Sequence, residues 1–390
     1  MQEWPMRGRN SSRCPLVTDH ASAPYDLIWS TRLDGAIVAE AVAVDGRVCV
    51  ASYKKLYCLT LHSGEIQWWF SPGKVAGIAE KNTMKASPAI SGDMLFFADD
   101  MGLVYCLDLV SGDLRWKSEG LGSRDESVLI YGNRLYTKFM QRSPVDSGWE
   151  TGYLCLSFDG KPIWKFQSRG PVSTLQAAAA NGLVFFGDRD GMAYGVSAES
   201  GEPAWHLDTN SILALSDPVR PRMSSVSGPT FVVGDIVVFH AGTGSHLVAL
   251  DSTTGRLKWV YEAPAPMRSV ACSSGAVFHT TFGGTVFAVD VHSGEAMWAA
   301  DNEEYSLGDI AGHSGLVVDD VYFAGFNRSR KLAAFSTSEG KVVWTFQSRG
   351  KGGFSAPPSY LRRNLIIGND YGVLHCFKVG EPELGTTSPS

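Results

Sequence analysis

The 390-residue chain lacks a long apolar run. No stretch of eighteen apolar residues occurs, so no membrane-spanning helix is expected. Residues 1–30 hold no apolar segment behind the first charges, so no secretory signal is expected, and the expected compartment is the cytoplasm. Blocks of one charge sign are also missing. With 34 basic and 40 acidic residues and a net charge of −6, nucleic acid and anionic membrane are not expected partners, because both require a concentrated basic surface. Cysteine is scarce and odd in number, at seven, which fits a reducing compartment better than a disulfide framework. There is no phosphate-cradling glycine loop and no nucleophile elbow, and no acidic cluster has metal-ligand spacing.

Glycine and tryptophan are plentiful, and they are placed with regularity. Trp29, Trp68, Trp116, Trp164, Trp205, Trp259, Trp298 and Trp344 follow one another at gaps of 39, 48, 48, 41, 54, 39 and 46 residues. That is the span of one four-stranded propeller blade. Four residues before each Trp from 68 onward stands a glycine: Gly64, Gly112, Gly160, Gly201, Gly255, Gly294 and Gly340. A glycine fixed in a tight turn supplies a backbone conformation with φ > 0. Ten residues before the Trp stands a small residue, Cys58, Cys106, Gly195, Ala249, Ala288 or Ala334, with Cys155 at nine in the third unit. Cys58, Cys106, Cys155 and Cys376 thus share a position with Ala and Gly and read as buried packing residues.

Two further short strands precede each such hairpin. The Asp45-Gly46 and Asn181-Gly182 pairs mark their turns. The run Ala177–Ala180 has helical propensity, but the repeat register makes it an innermost strand. Each unit therefore runs A, B, C, D from the axis outward. The last unit, residues 359–379, has no D strand, and the segment around Trp29 has no A, B or C before it. The N-terminal strand is expected to complete blade eight and close the ring, which removes exposed sheet edges. The expected fold is all-β: an eight-bladed β-propeller of four-stranded antiparallel blades over residues 24–380. Residues 1–23 read as an extension packing on the propeller and 381–390 as a disordered tail.

These residues resemble the pyrroloquinoline-quinone-like propeller repeat, Ala-x-Asp-x-x-Thr-Gly-x-x-x-Trp. Ala249, Asp251, Thr254, Gly255 and Trp259 match it throughout, and Ala288, Asp290, Gly294 and Trp298 match with Ser293 at the Thr position. Trp4-Pro5-Met6-Arg7-Gly8 also resembles a segment that precedes such propellers. The resemblance implies one of two groups. Quinoprotein dehydrogenases hold pyrroloquinoline quinone and calcium in the central cavity and often carry a disulfide between adjacent cysteines. Other members bind proteins, as does the lipoprotein of the outer-membrane β-barrel assembly machinery. Adjacent cysteines are absent here, so no cofactor is expected.

Fold does not carry function, so the site is sought in the loops. The A-to-B and C-to-D turns are short. The D-to-A and B-to-C loops on the other face are long, and the one over residues 141–152 carries Trp149 outside the repeat register. Counting back from each A-to-B turn places Lys85, Glu126, Gln176, Arg268 and His313 around the axial mouth. Phe-Gln-Ser-Arg-Gly occurs at 166–170 and 346–350, in blades opposite one another, so Arg169 and Arg349 are expected to flank the same face. Paired guanidiniums suit a carboxylate or an acidic partner. His240 and His279 end adjacent B strands one position out of register and are expected on different sides of the sheet. The function expected is a monomeric scaffold that binds a small acidic molecule or a protein partner on the long-loop face, an accessory protein of bacterial secondary metabolism. The alternative is a cofactor-independent cyclase, isomerase or lyase using Glu126 and His313 at the mouth. A quinone-dependent dehydrogenase is the third reading.

Overall fold

A computed structural model of the protein describes residues 3, 5–14, 17, 22–73, 84–100, 102–118, 127–143, 148–216, 225–273, 275–281, 285–301, 315–348 and 350–380. Eight four-stranded antiparallel sheets follow one another, at 42–70, 89–117, 129–167, 178–208, 231–262, 267–300, 316–347 and 359–380. The eighth takes its outer strand from the other end of the chain: Ser22–Arg32 pairs with Val373–Gly380, with Trp29 opposite Cys376. The ring is closed as the split repeat requires. Ala178–Ala180 is an inner strand despite its helical propensity. Its methyl groups suit the crowded axis, and the neighbouring strand Leu183–Gly187 satisfies its backbone.

The tryptophan register has a cause that lies between blades. Seven of the eight repeat indoles donate their N–H to a carbonyl in the C-to-D turn of the following blade, among them Trp29 to Leu61 at 2.8 Å, Trp116 to Phe158 at 2.9 Å, Trp205 to Ser252 at 2.9 Å and Trp259 to Val291 at 3.0 Å. The turn glycine of that next blade lies under the ring. A Cβ on Gly294, at φ 76°, would stand 2.6 Å from the Trp259 ring, and one on Gly340 would stand 2.4 Å from Trp298. The glycine is thus required twice, for its positive φ and for the flat ring it must admit. Within the blade, the small residue faces the Trp across the strand pair: Cys58 with Trp68, Cys106 with Trp116, Cys155 with Trp164, Gly195 with Trp205, Ala249 with Trp259 and Ala288 with Trp298. The cysteines at this position are buried and free, as the packing reading requires.

Trp344 meets the seam differently. Blade eight has no C-to-D turn, because its D strand arrives from the N-terminal segment. Tyr25 of that strand stands edge-on to Trp344 at 5.0 Å, and Phe377 does so at 5.5 Å. Aromatic edge contacts replace the glycine dock at the closure.

Candidate functional site

Blade three carries the most extended hairpin. Its B and C strands, Arg134–Arg142 and Trp149–Ser157, have nine residues each, against five in each of their counterparts in blade one. Register pairs Arg142 with Trp149, and the guanidinium lies 4.5 Å from the indole ring centre. Trp149 is 54% exposed even so. Below it, Glu150 accepts from Gln141 Nε2 at 2.8 Å and from Lys165 Nζ at 3.1 Å, which braces the hairpin against the D strand. Trp149 was legible in the sequence as an aromatic outside the repeat; Arg142 was not, because its partner is set by strand register.

The duplicated Phe-Gln-Ser-Arg-Gly has a structural use. Gly170 N donates to Asp188 Oδ2 at 2.9 Å, and Asn369 Nδ2 donates to Ser348 Oγ at 3.1 Å. Asp188 and Asn369 both stand at the end of the B strand of the following blade. Each copy therefore ties the end of an outer strand to its neighbour. Arg169 is exposed there. Asp188 also accepts from Asp190 N, Met192 N and the Tyr194 hydroxyl, which makes it a fully hydrogen-bonded buried turn acid.

Of the expected mouth residues, Glu126, His313 and Arg349 lie outside the described residues, and so does the side chain of Arg268, whose strand is Met267–Cys272. Lys85 is half-buried, with its ammonium 5.7 Å from the Tyr53 ring centre. Gln176 is buried at the axis, in a short parallel pair of Thr174–Gln176 with Gly228–Pro229. The described residues bring Gln176 together with Arg13 and Glu40, two groups the sequence reading did not single out.

Arg13 belongs to an N-terminal strap across the inner strands. Ile90 N donates to Pro5 O, Ala179 N to Ser11 O, Val232 N to Ser12 O and Asp319 N to Val17 O, so the strap touches blades two, four, five and seven. Gly8 N donates to Glu40 Oε1 at 2.8 Å, and Arg13 Nε donates to Ala177 O at 3.0 Å. Among the described residues an axial cavity lined by Gly8, Arg13, Glu40, Gln176, Leu316 and Pro358, with others, measures about 20 Å³. That is room for about one water. On the short-turn side an open concavity of about 810 Å³ lies between the strap and blade five.

Two expectations are corrected by this geometry. Cys14 of the strap forms a disulfide with Cys272 of blade six, at a Cα–Cα distance of 5.4 Å, so the expected reducing compartment without disulfides is not what the chain shows, while Cys58, Cys106, Cys155 and Cys376 stay free and buried. The pair is separated by 258 residues, and only closure of the ring brings them together. The histidines are the second case. His240 and His279 do not lie apart: their ring centroids are 5.7 Å from each other. One position out of register does put them on opposite faces of their own sheets. Neighbouring blades present opposite faces to each other, so the two rings meet in the seam.

Eight blades, each with its tryptophan docked on the next, define a β-propeller built of pyrroloquinoline-quinone-like repeats. The family model described as outer membrane protein assembly factor BamB matches residues 26–143, 147–273 and 222–384, and the chain belongs to that family. The outer membrane protein assembly factor BamB of Burkholderia pseudomallei is 24% identical over 321 residues, covering 77% of this chain and 75% of the relative. The crystal structure of BamB from Moraxella catarrhalis matches with a TM-score of 0.69 at 17% identity, over 93% of this chain and 99% of that one. Quinohemoprotein alcohol dehydrogenase from Comamonas testosteroni matches in fold with a TM-score of 0.75 at 12% identity, over 100% of this chain and 82% of that one.

The expected cytoplasmic placement is overturned by these relatives, several of which carry an outer-membrane name. A cross-strap disulfide agrees with an oxidising compartment. Among the described residues, no helix is long and apolar enough to cross a membrane. Among the described residues, Arg13 and the strap line an axial cavity of about 20 Å³, which is itself too small for the tricyclic quinone implied by the repeat.

Proposed function

We propose that the protein is a non-catalytic scaffold that binds a protein partner in outer-membrane protein assembly, using the blade-three hairpin on its long-loop face. Membership of the assembly-factor family supports the protein partner. The observation that carries the site is the Trp149–Arg142 pair, a stacked but exposed aromatic and cation on a braced hairpin. Tryptophan and arginine dominate the energetics of protein interfaces, because a large rigid ring and a planar cation lose little freedom when they are covered. The hairpin holds both side chains ready, so less ordering entropy is lost on association.

The test is capture from detergent-solubilised envelope membranes on immobilised protein. Trp149→Ala with Arg142→Glu should reduce capture of outer-membrane assembly proteins at least about tenfold, as expected for loss of a central interface residue. Thermal unfolding should be unchanged, because both side chains are outside the core. Undiminished capture by the folded double variant overturns the assignment.

A further inference from the structure

The seam between blades five and six holds two groups that the partner site does not use. His240 lies in Ile236–Ala241 and His279 in Ala276–Thr281. In blade five, Val238 faces the small residue Ala249; His240 follows it by two places. In blade six, Phe278 faces Ala288; His279 follows it by one. Side chains alternate along a strand, so the two imidazoles project toward each other across the seam. Their planes are tilted by 59°.

Both rings are buried, His240 at 3% exposure and His279 at 0%. His240 Nε2 and both ring nitrogens of His279 have no hydrogen-bond partner. Native structures seldom leave such groups unsatisfied without a use for them. Burial pushes His240 down to about 4, and burial together with the neighbouring His240 pushes His279 well below its ordinary value. Both imidazoles are then neutral, the form that ligates metals.

We propose that His240 and His279 form a transition-metal ion site that bridges blades five and six. With metal–nitrogen bonds of about 2.0–2.1 Å and ring centres about 1.2 Å behind the nitrogens, two imidazoles at a tetrahedral angle have centroids about 5.3 Å apart. The observed 5.7 Å lies close to that value. Imidazole selects Zn²⁺, Cu²⁺ or Ni²⁺ over the hard cations that require oxygen cages. Among the described residues no cluster of three or more His, Cys, Asp and Glu side chains assembles. The two imidazoles are therefore the ligands that the described residues supply at this buried seam. Bound, the ion clamps two blades at the seam, on the side opposite the short turns.

The experiment uses full-length protein stripped with EDTA at pH 7.5 and titrated with Zn²⁺ or Cu²⁺ alone. One equivalent should bind, and saturating Zn²⁺ should raise the melting temperature by about 3 °C. Electron paramagnetic resonance of the Cu²⁺ form should show two imidazole nitrogens, in a site shielded from a soluble relaxation agent. His240→Gln and His279→Gln should each weaken binding at least about tenfold and remove one nitrogen from the spectrum. The wild-type spectrum decides the matter if either variant fails to fold. No stoichiometric binding overturns the proposal. So does a solvent-accessible signal that persists in both variants, which would mark exposed histidines such as His62 and His292.

Discussion

Removing the Cys14–Cys272 bond should be the costliest change outside the repeat core. The bond joins residues 258 apart. A cross-link of that span removes about 18–19 cal/mol/K of unfolded-chain entropy, which corresponds to about 5.5 kcal/mol at 25 °C, just above the range of about 2–5 kcal/mol found for native disulfides. Part of that is offset because the strap keeps its hydrogen bonds at Pro5, Gly8, Ser11, Ser12 and Arg13 when the bond is absent. The expectation for Cys14→Ser with Cys272→Ser is a loss of about 3–5 kcal/mol in guanidinium unfolding, with the wild type under dithiothreitol falling to the same midpoint. Limited proteolysis should cut the strap of the variant before the ring. Thiol titration of the oxidised, denatured protein should find five of the seven cysteines free. Seven titratable thiols in protein purified from an oxidising compartment would refute the reasoning, as would a variant with an unchanged midpoint.

Three other outcomes follow from the packing. Trp259→Ala should cost about 3–5 kcal/mol and melt the ring in one transition, because the indole spans two blades; a loss below about 1 kcal/mol by chemical denaturation would contradict the docking role. Deleting residues 1–33 removes the outer strand of blade eight and exposes Val373–Gly380 as an edge, so size-exclusion chromatography should show aggregation, and a folded monomer would contradict the closure. His375, buried beside Ser30 Oγ at 2.8 Å, is held down to about 4 by burial. Below an unfolded value of about 6.5 the unfolded chain takes up the proton first, so stability present above that pH should fall by about 3 kcal/mol between pH 6.5 and 4. His375→Gln should make that stretch of the pH–stability curve shallower by about that amount, with the buried His240 and His279 supplying the slope that remains.

The architecture was readable in one dimension because its rules are local and repeated. A positive-φ glycine four residues before a tryptophan, and a small residue ten before it, are demands of one hairpin, restated in successive units. The split of blade eight followed from the same register. Cys14 and Cys272 carried a faint signal, since neither falls at the small-residue position, but nothing in the spacing pairs them. Tertiary structure alone decided what crosses a seam or the axis. Each glycine serves the tryptophan of the preceding blade rather than its own, the strap lays Arg13 beside Gln176, and His240 meets His279 because neighbouring blades face each other with opposite sides of their sheets. Side-chain alternation tells which face of a strand a residue takes; only the curvature of the closed ring determines which other residue occupies the space in front of it.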